Sequence, residues 1–347
     1  MPQTILEQEI HQQPDVLARL IEVQGRRVEA LAATIRQAGP RFVLIAARGS
    51  SDNAAVYGKY LLESLVGLPV ALAAPSVVTY YGRMPDVRDA LVIGVSQSGK
   101  GEDVREVVRQ AREQGALTLA ITNDPASPLA EAAAHRILLD AGEERSLAAT
   151  KTFTAQMTAF ALLTAALSGR PDLLDELHRL PGWVEHTLRL STRVPALAER
   201  YRYMLYCVTL GRGYNYATAF ELALKLKELT YITATPYSSA DFRHGPIAQV
   251  EAGFPVLLIA PSGRVLDDML ALAHDLHTRQ AELIVISDAQ AALELARTPL
   301  IIPADIPEWL SPVVSVVPGQ LFALGLSLAK GYDVDHPRTL TKVTSTR

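Results

Sequence analysis

The sequence predicts an α/β fold of two tandem subdomains, each a mostly parallel sheet flanked by helices, with an N-terminal helical arm and a C-terminal tail. Three observations carry this. From Arg41 onward, short apolar runs ending in Gly, Ser or Asn alternate with helical stretches, the pattern of parallel strands joined by helices. The second half repeats landmarks of the first at a nearly constant spacing. A chain of 347 residues, 49% of them hydrophobic, exceeds the usual size of one domain and can fill a core in each half.

The elements follow in order. Residues 4–37 carry apolar positions at helical spacing, broken at Pro14, and hold no strand-like run, so residues 1–40 are expected to form the arm. The first subdomain, 41–180, is expected to contain strands over Phe42–Ala47, Val70–Ala74, Ala90–Val95, Leu117–Thr122 and Arg136–Leu139. A long helix from Phe153 then runs into a polar, proline-bounded connector, Gly169–Pro181, with a new helix from about Gly182. The second subdomain is expected over 195–332 and the tail over 333–347. Arg48-Gly49 corresponds to Arg212-Gly213, and Ser98-Gly99 to Ser262-Gly263, each 164 residues later. Ile121 and Ile286 stand 165 apart, and Ile137 and Ile301 again 164. Such a duplication is expected to place loops at the strand carboxyl ends around a shared crevice.

Composition excludes several classes. Lys and Arg total 33 against 37 Asp and Glu, a net charge of −4, so no basic field gathers nucleic acid. The single cysteine, Cys207, lies in an apolar run, which excludes an intrachain disulfide and a cysteine zinc site and fits a reducing cytoplasm. The first residues read as polar, not as a basic and then apolar leader, and no uncharged apolar run of about 18 residues is expected. A membrane partner is therefore not expected, and cytoplasmic localisation is. No nicotinamide fingerprint stands after the first strand, where Gly49 is alone, and the eight histidines are scattered. Neither a cofactor nor a metal is expected.

Two turns carry the first chemistry. Gly49-Ser50-Ser51-Asp52-Asn53 and Ser96-Gln97-Ser98-Gly99 each follow a strand and open a helix. Unpaired N–H groups at a helix start, with serine hydroxyls beside them, suit a phosphate dianion. Helix capping by serine explains one such turn as well; two on one sheet favour phosphate. A third loop, Glu143–Lys151, reads either as a cover over a ligand or as a solvated link.

Taken with Ala148-Ala149-Thr150-Lys151-Thr152-Phe153, Gly211-Arg212-Gly213, the run Glu221–Glu228, His244-Gly245-Pro246 and Asp333–Lys342, these residues resemble the sugar-isomerase (SIS) family. The resemblance is to the isomerase domain of glutamine-fructose-6-phosphate aminotransferase (glucosamine-6-phosphate synthase) and to stand-alone glucosamine-6-phosphate deaminases of that type. It covers nearly the whole chain and implies two tandem SIS subdomains. It also implies a hexose phosphate bound by Gly49, Ser50, Ser51, Ser96, Gln97, Ser98, Gly101, Leu147, Ala149 and Thr341.

Aldose-ketose exchange needs a base that carries a proton between C1 and C2 of an opened sugar. Glu228, near a helix end among Ala223, Leu224 and Leu229, is the candidate. From the residues alone, a surface Glu paired with Lys225 or Lys227 is the stronger reading; the resemblance reverses the order. His244, in a Gly-Pro turn, can exchange protons near neutral pH and open a pyranose ring. The resemblance implies that it acts in a neighbouring subunit's site, hence a homodimer. Lys342 in the tail supplies an amine for the enolate-like transition state or for an imine, and Lys225, one turn before Glu228, can face the same site.

The sequence departs from the family where Gly101, beside Lys100, replaces a threonine, Ala149 a serine and Leu147 a valine. No glutamine-hydrolysing half is read before the arm, so the expected reaction is release of ammonia from glucosamine 6-phosphate to give fructose 6-phosphate, or its reverse. Galactosamine 6-phosphate deamination and fructosamine 6-phosphate deglycation would use the same shuttle. A non-catalytic sugar-phosphate-binding regulator would need the phosphate loops only.

Overall fold

The computed structural model describes residues 3–336 and residue 338. They form two compact units interleaved in sequence. Among the described residues, the first unit holds Asp15–Glu144 and Lys151–Arg179; the second holds 3–14, Arg145–Thr150, 180–336 and 338. The expected arm is therefore shared between them: a helix over Ile5–His11 belongs to the second unit, and most of a helix over Gln13–Ala38 to the first. Pro14 does not break the longer helix, because it lies in the first turn, where its missing N–H has no intrahelical acceptor.

In the first unit, strands β1 (Phe42–Ala46), β2 (Val70–Leu72), β3 (Ala90–Ser96), β4 (Leu117–Thr122) and β5 (His135–Leu138) pair in the order β2-β1-β3-β4-β5. Every pairing is parallel, with Val43 opposite both Val70 and Leu91. The second unit repeats the order as β7-β6-β8-β9-β10, again wholly parallel, from β6 (Tyr206–Gly211), β7 (Thr233–Ser238), β8 (Pro255–Ile259), β9 (Glu282–Ser287) and β10 (Thr298–Ile301). Strands β3 and β8 are apolar and buried almost throughout because helices cover both sheet faces. In each sheet the connection direction reverses beside the first strand, the kind of position where open α/β sheets bind ligands.

Each sheet is closed on one face by a helix buried almost along its whole length. In the first unit this is Lys151–Ser168, packed so tightly on the helix Ser50–Leu61 that a Cβ on Gly58 would lie 2.5 Å from the Phe160 ring. In the second it is Ser311–Ala329, whose Gly319 leaves room for Leu222 of the helix Tyr216–Thr230. Two expectations need correction here. Glu308–Ala329 is long and apolar enough to span a membrane, contrary to the expected absence of such a run, but 89% of its apolar window is buried in the protein. The connector 169–181 is also not irregular. A helix over Pro171–Leu190 carries Pro181 in its interior, because Leu173, Leu177, Leu180 and Val184 bury one face and outweigh a proline cost of about 3 kcal/mol.

Candidate active site

The two serine turns flank the switch point of the first sheet, after β1 and after β3. The structure rejects capping as their explanation. The cap of the helix Ser50–Leu61 is Gly49, at φ 57° and ψ −132°, and that of the helix Glu102–Glu113 is Gly101; neither has a side chain to offer the first-turn amides. Three serine oxygens are instead held as acceptors: Ser51 Oγ takes a bond from Gln156 Nε2 (2.9 Å), Ser96 Oγ from Gly99 N (3.1 Å) and Ser98 Oγ from Lys100 N (3.3 Å). None of the three donates to an acceptor among the described residues. Gln97 is anchored by its carbonyl, which accepts from Asn123 N, and Gly99 by its carbonyl, which accepts from Leu129 N. Arg48 adds positive charge, its Nε donating to buried Asp103 at 2.7 Å. Burial pushes the Asp52 carboxyl above its ordinary range, against the lowering pull of Arg48.

The third loop is a fixed structure, not a solvated link. In the first unit Glu144 accepts from Thr152 N and Oγ1, and Lys151 Nζ donates to the Glu143 carbonyl at 2.6 Å. In the second unit Ser146, Ala148 and Thr150 are buried, and half-buried Leu147 and Ala149 alternate with them.

Helix Tyr216–Thr230 brings Glu221, Lys225 and Glu228 together. Lys225 is 1% exposed, with Nζ 2.6 Å from Glu228 Oε2 and 3.3 Å from Glu221 Oε1. Glu221 is fully buried, whereas the Glu228 side chain is 23% exposed. Burial alone would lower the Lys225 pKa, but the two carboxylates outweigh it and hold the ammonium above its ordinary range. The pairing with Lys225 foreseen for a surface Glu is thus present, but with a lysine in the core.

His244 is not in this cluster. It ends the short helix Ser239–Arg243 at the carboxyl end of β7, exposed, with no side-chain hydrogen bond among the described residues. Helix Tyr216–Thr230 runs back across the sheet from the end of β6 to the start of β7, so Glu228 lies at the strand amino ends. The six residues of β7, about 20 Å at 3.3 Å per residue, separate the two. Within the second unit, His244 thus stands at the strand carboxyl ends and Glu228 at the amino ends.

The tail is docked as far as it is described. Arg338 N donates to Tyr231 Oη (2.8 Å), and its guanidinium stacks 4.8 Å from the Tyr231 ring and 5.1 Å from that of Tyr332. Tyr231 is the left-handed cap that ends the Glu228 helix. Thr341 and Lys342 lie outside the described residues.

A comparison with protein families matches the SIS domain to residues 35–166 and again to 207–330. The chain belongs to the SIS family. Among curated relatives, glutamine-fructose-6-phosphate aminotransferase of Acidithiobacillus ferridurans is 36% identical over 97% of this chain and 58% of its own length. That of Gloeobacter violaceus is 38% identical over 96% and 57%. The chain thus spans a little over half of these relatives. Among solved structures, the C-terminal domain of glucosamine-fructose-6-phosphate aminotransferase from Francisella tularensis superposes with a TM-score of 0.87 at 28% identity, covering 96% of this chain and 98% of that one. Glucosamine-6-phosphate deaminase from Thermotoga maritima has the same fold, with a TM-score of 0.80 at 21% identity over 99% and 100% of the two chains. The chain is thus a member of the SIS family related to the C-terminal domain of that aminotransferase.

Within the SIS framework the two units are not equivalent. Where the first has Ser98-Gly99, the second has Ser262-Gly263, but Ser262 N donates to Asp288 Oδ1 (2.7 Å) and the Glu308 carboxyl packs against Gly263. Sequence reasoning did not single out Glu221 as a partner of Lys225, although its spacing of four on a helix signals it. It also passed over Glu9, whose contacts lie far away in sequence and leave no local signal.

Proposed function

We propose that the protein interconverts glucosamine 6-phosphate plus water with fructose 6-phosphate plus ammonia. Its relatives are named for amino transfer to fructose 6-phosphate, and the described residues supply what the sugar half of such a reaction needs. The Gly49–Ser51 and Ser96–Gly101 turns hold the phosphate. Glu228 takes the proton from C2 of the open-chain amino-aldose and returns it to C1, leaving a C2 imine; water adds at C2 and ammonia departs.

The observation that carries this reading is Lys225. A fully buried ammonium lies between Glu221 and Glu228 and fixes the Glu228 carboxyl with one side open to solvent, where a proton-transferring base must meet its substrate. A phosphate sensor has no use for it. The position of His244, one strand length from Glu228, supports ring opening in a partner subunit's site within a homodimer. Arg338 on Tyr231 docks the described part of the tail at the end of the Glu228 helix, which supports a part for the tail in the reaction.

The test is ammonia and fructose 6-phosphate release from glucosamine 6-phosphate by the purified protein, with Glu228→Gln beside it. Turnover that this variant abolishes supports the proposal. Turnover only with galactosamine 6-phosphate or a fructosamine 6-phosphate keeps the mechanism and moves the substrate. Binding of all three without turnover of any sinks the enzyme reading.

A further inference from the structure

We propose that the seven-residue helix Ile5–His11 is a positioning device that sets the sugar-covering loop 145–150 and the C-terminal tail together, with Glu9 and Asp335 as its two contacts. This rests on the functional reading above only for its kinetic consequence. Glu9 is 3% exposed, and its carboxylate accepts from the backbone N–H groups of Arg145 (2.5 Å) and Ser146 (3.1 Å). Charge-assisted bonds of this kind are about twice as strong as neutral ones, and they compensate a carboxylate that would be costly to bury otherwise. Ser146 Oγ then donates to the Ala148 carbonyl at 2.9 Å, extending the constraint across Leu147 toward Ala149.

The other end of the helix holds the tail. Asp335 accepts from Ile5 N (3.0 Å) and Leu6 N (3.3 Å), while Thr4 Oγ1 accepts from Glu7 N (3.1 Å), so the first-turn amides that a helix leaves unpaired are used to fix a segment 330 positions away. Three residues on, Arg338 reaches Tyr231. The helix itself is seated by Leu6 and Ile10, both buried, and just beyond its end Gln13 Nε2 donates to Gln320 Oε1 at 3.0 Å on the core helix. The loop with Leu147 and Ala149 and the tail segment around Asp335 are thereby referred to one rigid element of the second unit. Displacing either contact moves both segments relative to the Glu228 helix.

The experiment is limited tryptic digestion of the full chain, reading by mass the cut after exposed Arg145 in wild type, Glu9→Gln and Asp335→Asn. Leu276→Ala, in the core of the same unit, serves as a variant that is merely less stable. Both bracket variants are expected to accelerate that cut at least about tenfold, and Leu276→Ala to leave it within about twofold. A rate unchanged in a folded Glu9→Gln or Asp335→Asn protein overturns the proposal, as does an equal acceleration in Leu276→Ala. If a variant does not fold, hydrogen exchange of the wild type decides: the Ser146 amide is expected to be protected, and exchange at the rate of an open loop overturns the assignment. These readouts need no turnover, so failure of the deaminase reading is distinguishable. With activity in hand, kcat/KM is expected to fall about tenfold in each variant, through KM for Glu9→Gln and through kcat for Asp335→Asn.

Discussion

Lys225 Nζ and Glu228 Oε2 lie 2.6 Å apart, yet only the carboxylate reaches solvent. The lysine is an interior charge whose desolvation is offset by two carboxylates, Glu221 behind it and Glu228 in front. The asymmetry is one of burial: Glu228 stands at the rim, and Lys225 and Glu221 stand behind it in the core.

Removing the bridge should therefore unfold more than it inactivates. Lys225→Met removes the ammonium that faces buried Glu221 and Glu228, and a loss of about 3–5 kcal/mol is expected, measured by urea unfolding. Adding Glu221→Gln to it should return part of that stability.

The same triad predicts an alkaline limit. The folded-state pKa of Lys225 is raised by Glu221 and Glu228, overcoming the lowering effect of burial. Its stabilisation is fully present below the unfolded value of about 10.4 and is lost as pH climbs through the folded one. Thermal scans should show a Tm that falls above about pH 10.4, with a shallower fall in Lys225→Met.

Phosphate binding should depend on Gly99. A side chain there would adopt φ +63° and overlap Ser127, so Gly99→Ala is expected to cost about 1–3 kcal/mol and to weaken fructose 6-phosphate binding in calorimetry. Gly25→Ala is the contrast. It is helical, with nothing within 4 Å of the added Cβ, and should stabilise by about 0.5–1 kcal/mol.

The separation of Glu228 from His244 along β7 gives a complementation test. If sites are shared across a homodimer, mixing inactive Glu228→Gln with inactive His244→Ala should restore about a quarter of wild-type activity, since half the dimers are mixed and one of two sites in each is intact. No recovery after subunit exchange would place both residues in one chain's site.

Much of the fold was legible because its signals are local. Apolar runs such as Leu117–Thr122 mark strands buried on both faces, and the spacing from Arg48-Gly49 to Arg212-Gly213 marks the repeat that the two identical strand orders now express. The serine turns were legible as helix starts, but that glycines occupy the cap positions needs φ and ψ. What stayed hidden is long-range. Pro181 reads as a breaker until its burying face is seen, and Glu9 reads as one polar residue of a short amphipathic helix until its partners 136 and 137 positions away are found.

The carboxylates beside Ser262-Gly263 have a consequence for stoichiometry. A dianion entering that turn would meet Asp288 and Glu308, so the internal likeness of the two halves does not extend to the ligand. A titration should saturate at one hexose phosphate per polypeptide, and the two copies, released from a common task, can diverge under separate selection.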